Sequence, residues 1–445
     1  MRMVATTRTK FNAKEKIMKL DNIQEEIVQS ESNNIIVSAG AGSGKTRVLT
    51  ERVKHLIEKD ADPTNIVCIT FTNRAANEMK ERLADVPGAE NAFIGTIHSF
   101  ANHILKDSGK RYGLLTADKE TEIIRNLISK YGKHTSIDDY SNYIKWRNMQ
   151  KLGIIEEKFR KPPESAIHEI EIFYGKISKP SYMYYIENLQ DVCARDNIIT
   201  FDELIVECTD YFKKSGGSIK YLLVDEFQDI GMNEYEFIMA LNAENNFFVG
   251  DDWQSIYGFK GGDVQIFLQL MRDKNWKAYN MTNNYRNAIG ILDIAKRVIR
   301  QADDIIEKKV SAIRTELGEV DMDNKYNMDK YLKKISKTKD YGKWFVLVRT
   351  NKEIFEVSEQ LKKAGIPYQT FKQGNVSTKE LTDIMNANTV KVLTVHAAKG
   401  LENENVLIYG NFPIQVPSYR KVNSEERKVF YVAITRAMNK LIILN

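Results

Sequence analysis

Ala39-Gly40-Ala41-Gly42-Ser43-Gly44-Lys45-Thr46 is the stretch on which the reading of this chain turns. Before it, Asn34-Ile35-Ile36-Val37-Ser38 is a short apolar run with the character of a buried strand. After it, Leu49, Val53, Leu56 and Ile57 recur at helical spacing. A glycine-rich turn between strand and helix is the context in which backbone N–H groups converge on phosphates. Small residues allow close approach, and the helix N-terminus favours negative charge. In such a loop Lys45 reaches the β- and γ-phosphates and the Thr46 hydroxyl ligates Mg²⁺. Alanine stands at position 39, where the pattern usually opens on glycine. The Gly-Lys-Thr triplet and both flanking elements agree, so a nucleotide site is expected.

The chain has 445 residues, room for roughly three domains of about 150 residues each. It is 42% hydrophobic and 28% charged, the balance of a soluble globular protein with a sizeable core. No apolar run approaches the ~18 residues of a membrane span, and no signal-peptide pattern opens the sequence. Cys68, Cys193 and Cys208 are far apart and odd in number, which argues against a disulfide framework or a zinc knuckle. They fit a reducing compartment, so a cytoplasmic location is expected. The net charge of +5 owes much to the arm 1–19, where Arg2, Arg8, Lys10, Lys14, Lys16 and Lys19 face Glu15 alone. A DNA path elsewhere must come from local placement of Lys and Arg.

Leu20-Asp21-Asn22-Ile23-Gln24 opens the first helix, with Asp21 or Asn22 able to cap it. The Gln24 carboxamide can donate to and accept from an adenine edge. Residues 66–71 read as a second buried strand running into a helix from Thr72, and 92–96 as a third. This β-α-β alternation predicts a parallel sheet with ligands at the strands' C-terminal ends. His98 lies at one such end beside Thr96 and Ser99, polar groups suited to a backbone phosphate. From 101 to 199 strand signals give way to amphipathic helices with many tyrosines and a basic-aromatic Lys145-Trp146-Arg147, read as a helical insertion.

The sheet resumes at Tyr221-Leu222-Leu223-Val224-Asp225-Glu226. Four apolar residues ending in two carboxylates place Asp225 near Mg²⁺ and Glu226 beside the γ-phosphate, where it positions or deprotonates the attacking water. Residues 247–252 form another strand, followed by Gln254, suited to sensing the γ-phosphate, and by Tyr257 and Phe259, which offer stacking faces. Near Met281 the chain enters a second α/β unit, with strands at 344–349, 390–395, 406–409 and 441–444. This unit has no phosphate loop of its own. Its polar clusters are Tyr285-Arg286, residues 394–402 and Thr435-Arg436. Phosphoryl transfer uses an arginine from a facing domain to stabilise charge on the γ-phosphate.

Taken in order, these stretches resemble the UvrD/Rep/PcrA group of superfamily 1 DNA helicases. Gln24, AGAGSGKT from Ala39, TFTNRAANEM from Thr70, GTIHSF from Gly95 and VDEFQD from Val224 come first. VGDDWQSIYGFKGG from Val249, NYR from Asn284, VRTN from Val348, TVHAAKGLE from Thr394 and ERKVFYVAITRA from Glu426 follow, so the matches span nearly the whole chain. The resemblance implies an α/β fold of two RecA-like P-loop NTPase domains with parallel sheets, clamping ATP between them. Domain 1A would hold 20–100 and 200–280, the insertion 1B would hold 101–199, and domain 2A would hold 281–445. Gln24 would read adenine, and Arg47 and Tyr285 would sandwich its ring. Gln254, Arg286 and Arg436 would sense or stabilise the γ-phosphate, and Glu402 would contact the nucleotide. Single-stranded DNA would cross near Phe71, Thr96, His98, Tyr257, Phe259 and His396, with stepping 3′ to 5′.

The chain also departs from the group. Phe259-Lys260 stands where Trp-Arg is usual, and Asn403 where an aromatic follows Leu-Glu. Members usually carry a large domain, 2B, ahead of the Thr394 motif, but here only the short connection 371–389 is available. The expected function is an ATP-driven 3′-to-5′ translocase on single-stranded DNA, a DNA helicase that can unwind duplex and acts at single-strand/duplex junctions. The alternative is a DNA-gated ATPase subunit working with a protein partner such as a nuclease. A small-molecule phosphotransferase would share the loop, but it would not need the second unit's arginines.

Overall fold

The computed structural model describes residues 19–116, 191–258, 261–371, 378–412 and 424–445, with a few single residues between 118 and 189. The basic arm 1–18, most of the insertion, including Lys145-Trp146-Arg147, and Phe259-Lys260 lie outside the described residues. So do 372–377 of the short connection.

Two six-stranded sheets, parallel throughout, organise the rest. The first holds β1 (Asn34–Ala39), β2 (Ile66–Thr70), β3 (Phe93–Thr96), β4 (Tyr221–Val224), β5 (Asn245–Gly250) and β6 (Lys277–Met281) in the order β3-β2-β4-β5-β1-β6. The second holds β7 (Glu319–Asp323), β8 (Trp344–Val348), β9 (Tyr368–Thr370), β10 (Val390–Thr394), β11 (Asn403–Tyr409) and β12 (Ala437–Leu444) in the order β7-β12-β11-β8-β10-β9. This is the expected α/β build of two RecA-like units.

Strands covered on both faces become continuous apolar runs, and successive side chains go to opposite sides. In β1, Ile35, Val37 and Ala39 pack with Val48, Leu49 and Val53 of the helix Lys45–Glu58, while Ile36 enters the core on the other face with Leu222 and Phe248. In β8, Trp344, Val346 and Val348 join one core and Phe345 and Leu347 the other. The sequence reading misses β6, β7 and β9. These strands sit at sheet edges and carry half-exposed or polar residues, so no apolar run marks them.

Register sets the location of the site. Ser38 lies beside Gly250, Thr70 beside Thr96, and Ile69 beside Val224, so five strands of the first sheet end on one side. The core of the second sheet continues across the junction, where Ala41, Trp253, Ile256 and Tyr257 pack with Ala288, Phe430 and Tyr431. Among the described residues no helix is long and apolar enough to cross a membrane.

Candidate nucleotide site between the two sheets

The glycine-rich turn leaves β1 and feeds the helix Lys45–Glu58, with Gly44 as a left-handed N-cap (φ 89°). Gly42 also has positive φ, and a Cβ there would lie 2.6 Å from the Arg286 Cβ, so only glycine fits where the second unit presses on the turn. Three side chains brace the loop. Ser43 Oγ donates to the Gly40 carbonyl at 2.7 Å, Asn284 Nδ2 to the Ala41 carbonyl at 2.7 Å, and Gln24 Nε2 to the Ser43 carbonyl at 2.9 Å. The Tyr285 amide donates to the Gly42 carbonyl at 2.9 Å. Lys45 Nζ lies 3.4 Å from the Ala39 carbonyl and 3.9 Å from Asp251 Oδ2.

The end of β4 turns sharply because Glu226 takes a left-handed conformation (φ 52°), uncommon for a residue with a Cβ. Two successive carboxylates thereby enter one cleft. Asp225 is buried, and burial together with the Glu226 charge pushes its carboxyl up. Burial also opposes the Glu226 charge, but Lys45 and Lys399 outweigh it and hold that carboxyl well down. Asp251 is held down against its burial by Lys308 and Lys45.

The second unit supplies cations. Arg436 is 1% exposed, and its Nη2 donates to Gln254 Oε1 at 2.9 Å. Its other bonds go to neutral acceptors, the carbonyls of Val432 (3.0 Å) and Leu401 (3.1 Å) and the Thr435 hydroxyl. Burial, then the neighbouring Arg286 charge, pushes its guanidinium down to about 9. Arg286 pairs with Glu402.

At the other end of the cleft the Asp21 carboxylate accepts from Tyr285 Oη and from Asn283 Nδ2 (2.8 Å), and it caps the first helix at Gln24. Gln24 is 1% exposed and returns the bond, its Oε1 accepting from the Asp21 amide. Burial, with Asp21, pushes the Tyr285 phenol up to about 12, while the positive field of Arg47 works the other way.

The residues expected along a DNA path divide. Phe71 stacks on Tyr257 with centroids 5.2 Å apart, and Tyr257 Oη donates to the His396 carbonyl at 3.2 Å. Tyr257, expected to offer a stacking face, is 2% exposed, with Phe71 lying against its ring. Thr96 caps the helix Ile97–Asp107, and His98 meets the Phe201 ring edge-on. Phe259 lies outside the described residues.

Three site residues escape the sequence reading. Lys308 is wholly buried between Asp251 (2.6 Å) and Asp252 (2.7 Å). Lys399 from the second unit bonds Asp229, which itself goes unassigned, and the Gln254 carbonyl. Nothing local distinguishes Lys308 from Lys309, whereas Lys399 and Asp229 lie within TVHAAKGLE and VDEFQD, stretches singled out in the sequence without a role for these two residues.

Comparison with known proteins identifies the family. The family described as UvrD/REP helicase N-terminal domain matches residues 20–275, and UvrD-like helicase C-terminal domain matches 279–387 and 372–445. A probable DNA helicase of Mycoplasma pneumoniae is 29% identical, the match covering 96% of this chain and 83% of that protein. The ATP-dependent DNA helicase PcrA of Staphylococcus epidermidis is 30% identical over 83% of this chain and 53% of its own length. PcrA of Leuconostoc citreum is 29% identical over 82% and 52%. The chain thus spans about half the length of the PcrA proteins it matches. It belongs to the UvrD/REP helicase family of superfamily 1.

Proposed function

We propose that this chain is an ATP hydrolase that moves 3′ to 5′ along single-stranded DNA and acts at single-strand/duplex junctions. The observation that carries the proposal is the division of charge across one cleft. Lys45, Asp225 and Glu226 face Arg436 and Arg286, with Gln254 hydrogen-bonded to Arg436 across the gap. A buried guanidinium bonded only to neutral acceptors is well suited to receive a γ-phosphate.

In this reading the amides from Gly40 to Thr46 and the Lys45 ammonium bind the phosphates of ATP. Ala39 and Ala41 keep the turn small, and Ser43 and Asn284 hold its shape. Asp225 and the Thr46 hydroxyl hold Mg²⁺, a cation that takes few protein oxygens and fills its shell with phosphate and water. The unbalanced burial of Asp225 fits that role. When bound, the ion supplies neutralisation of the phosphate charge. Glu226, kept ionised by the nearby cations, orients the attacking water and accepts its proton. Arg436 and Arg286 then meet the charge developing on the γ-phosphate, Arg286 exchanging Glu402 for it and freeing Glu402 for the nucleotide. Tyr285 and Arg47 flank the base. Gln24 has a second N–H and a second lone pair left for the adenine edge.

Strand contact falls to Phe71, backed by the buried Tyr257 ring, and to His396, with Thr96, His98 and Phe259 alongside. The test is ATP turnover with and without single-stranded DNA, paired with displacement of duplexes carrying 3′ or 5′ tails. Turnover without strand stimulation, or displacement only from 5′ tails, would contradict the proposal.

A second reading, a DNA-gated ATPase subunit of a nuclease-containing assembly, draws support from the connection 371–389. There β9 is followed closely by the helix Thr378–Asn386 and β10. Strand separation must overcome roughly 1.4 kcal/mol of stacking per base-pair step. Unwinding of long duplex is accordingly expected to be weak without a partner, and efficient unwinding by a monomer would remove this reading.

A further inference from the structure

Lys399 follows the short helix Val395–Ala398 at the end of β10, in the second sheet. Its ammonium is nevertheless seated wholly among groups of the first. It pairs with the Asp229 carboxylate, donates to the Gln254 carbonyl at 2.9 Å and lies 3.8 Å from Glu226 Oε2. Its Nζ also stands 4.8 Å from the centroid of the Tyr257 ring. A lysine buried this fully must be paired, and removing one partner leaves the other uncompensated.

The acceptors around Lys399 form one unit. Gln228 Nε2 donates to Glu226 at 2.7 Å and to Asp229 at 2.9 Å, so the carboxylates share a donor as well as the lysine. Asp229 Oδ1 is buried with no hydrogen-bond partner among the described residues, which leaves Lys399 as the cation paired with that carboxylate. On its other side Lys399 meets Tyr257, whose ring stacks on Phe71 and whose hydroxyl donates to the His396 carbonyl. One ammonium therefore touches both the acids at the γ-phosphate end and the aromatic cluster of the strand path. Gln254 ties this contact to Arg436, giving its carbonyl to Lys399 and its side-chain oxygen to the arginine.

We propose that Lys399 is the positioning residue that transmits strand occupancy to Glu226. A base settling against Phe71 presses on the buried Tyr257 ring stacked behind it, the ring beside the ammonium. A change in the gap between the sheets displaces the ammonium itself. Either motion alters its hold on Asp229 and Glu226, so the alignment of Glu226 for water follows the state of the strand. The inference rests on the reading of Glu226 as the residue that orients water.

The experiment compares the intact chain with Lys399→Met, Asp229→Asn, the double variant and Glu226→Gln. It reads kcat and KM for ATP with and without oligo(dT), and oligo(dT) affinity in the absence of nucleotide. Lys399→Met should lower the strand stimulation of kcat about tenfold, inside the ~5–150-fold range of coupling between sites. KM for ATP and oligo(dT) affinity should each stay within about threefold, a split that general loosening of the fold would not give. The double variant should lose no more than Lys399→Met alone, because contacting residues acting as a unit are not additive. Full stimulation in Lys399→Met, additive losses, or an equal fall in affinity and turnover would each overturn the proposal. If Glu226→Gln turns over normally, the reading of the site itself fails. If Glu226→Gln is inactive while Lys399→Met keeps full stimulation, only the coupling fails.

Discussion

At the strand ends of the first sheet stand a glycine-rich turn and the carboxylates Asp225, Glu226, Asp251 and Asp252. At those of the second stand Lys399 and, just before β12, Arg436, with Arg286 on the segment between the sheets. Both sheets are six-stranded and parallel, yet only the first carries the glycine-rich turn, and the second faces it with two arginines, Arg436 bonded to neutral acceptors and Arg286 paired with Glu402 of its own unit. The difference teaches that parallel build supplies a place for a ligand, while the residues at the strand ends decide which half of a reaction each domain performs. In the proposed function the first half holds an anionic nucleotide and the second completes its hydrolysis.

The sharpest way to break that comparison is within the first half. Lys45→Ala should lose ATP binding and turnover together. Glu226→Gln should still bind ATP but turn over about 10²–10⁴-fold more slowly, the usual cost of a lost general base. Filter binding of labelled ATP beside steady-state hydrolysis separates the two, and normal turnover in either variant would remove the assignment.

A smaller effect is expected where the halves meet the base. Aromatic stacking on a base is worth about 1–3 kcal/mol, so Tyr285→Ala should raise KM for ATP about tenfold with little change in kcat. Gln24→Ala should narrow the preference for ATP over GTP. It should also cost about 1 kcal/mol of stability, since Gln24 holds the Ser43 carbonyl. An unchanged ATP-to-GTP ratio would make Gln24 a brace for the loop alone.

The smallest effect contrasts buried charge used for chemistry with buried charge used for architecture. Lys391 on β10 is buried, its ammonium donating to the Ala387 carbonyl after the helix Thr378–Asn386, and burial pushes it down to about 8 from an ordinary 10.5. The unfolded chain then binds more protons than the folded one between those values, so stability should rise with pH across that window. Lys391→Met should flatten that rise in Tm while leaving turnover unaltered. A slope identical in both proteins would show that this lysine is solvated.

The sequence carried the first half of the site more legibly than the second. The loop at Ala39–Thr46 and the Asp225-Glu226 pair are local patterns with a mechanism attached, and β1, β2 and β4 are apolar enough to be read directly. The edge strands β6, β7 and β9 carry no such run. Lys308 acquires meaning only when chain segments far apart in sequence meet, and so does the pairing of Asp229 with Lys399, though each of those two lies in a stretch the sequence singles out. Tyr257 shows another side of this: read as a stacking face, it is 2% exposed, with the Phe71 ring and the Lys399 ammonium against it, a packing that no local pattern reveals. Single-sequence patterns show what a segment can do, whereas pairing across the cleft decides what it touches.

The most direct test of the account is ATP affinity and single-turnover hydrolysis of Arg436→Ala in saturating single-stranded DNA. If the second sheet completes a site that the first sheet binds, ATP affinity should stay within about threefold while hydrolysis falls at least ~10²-fold, the scale of lost charge stabilisation in a transition state. Hydrolysis at the unsubstituted rate, or loss of binding and hydrolysis in equal proportion, would contradict it.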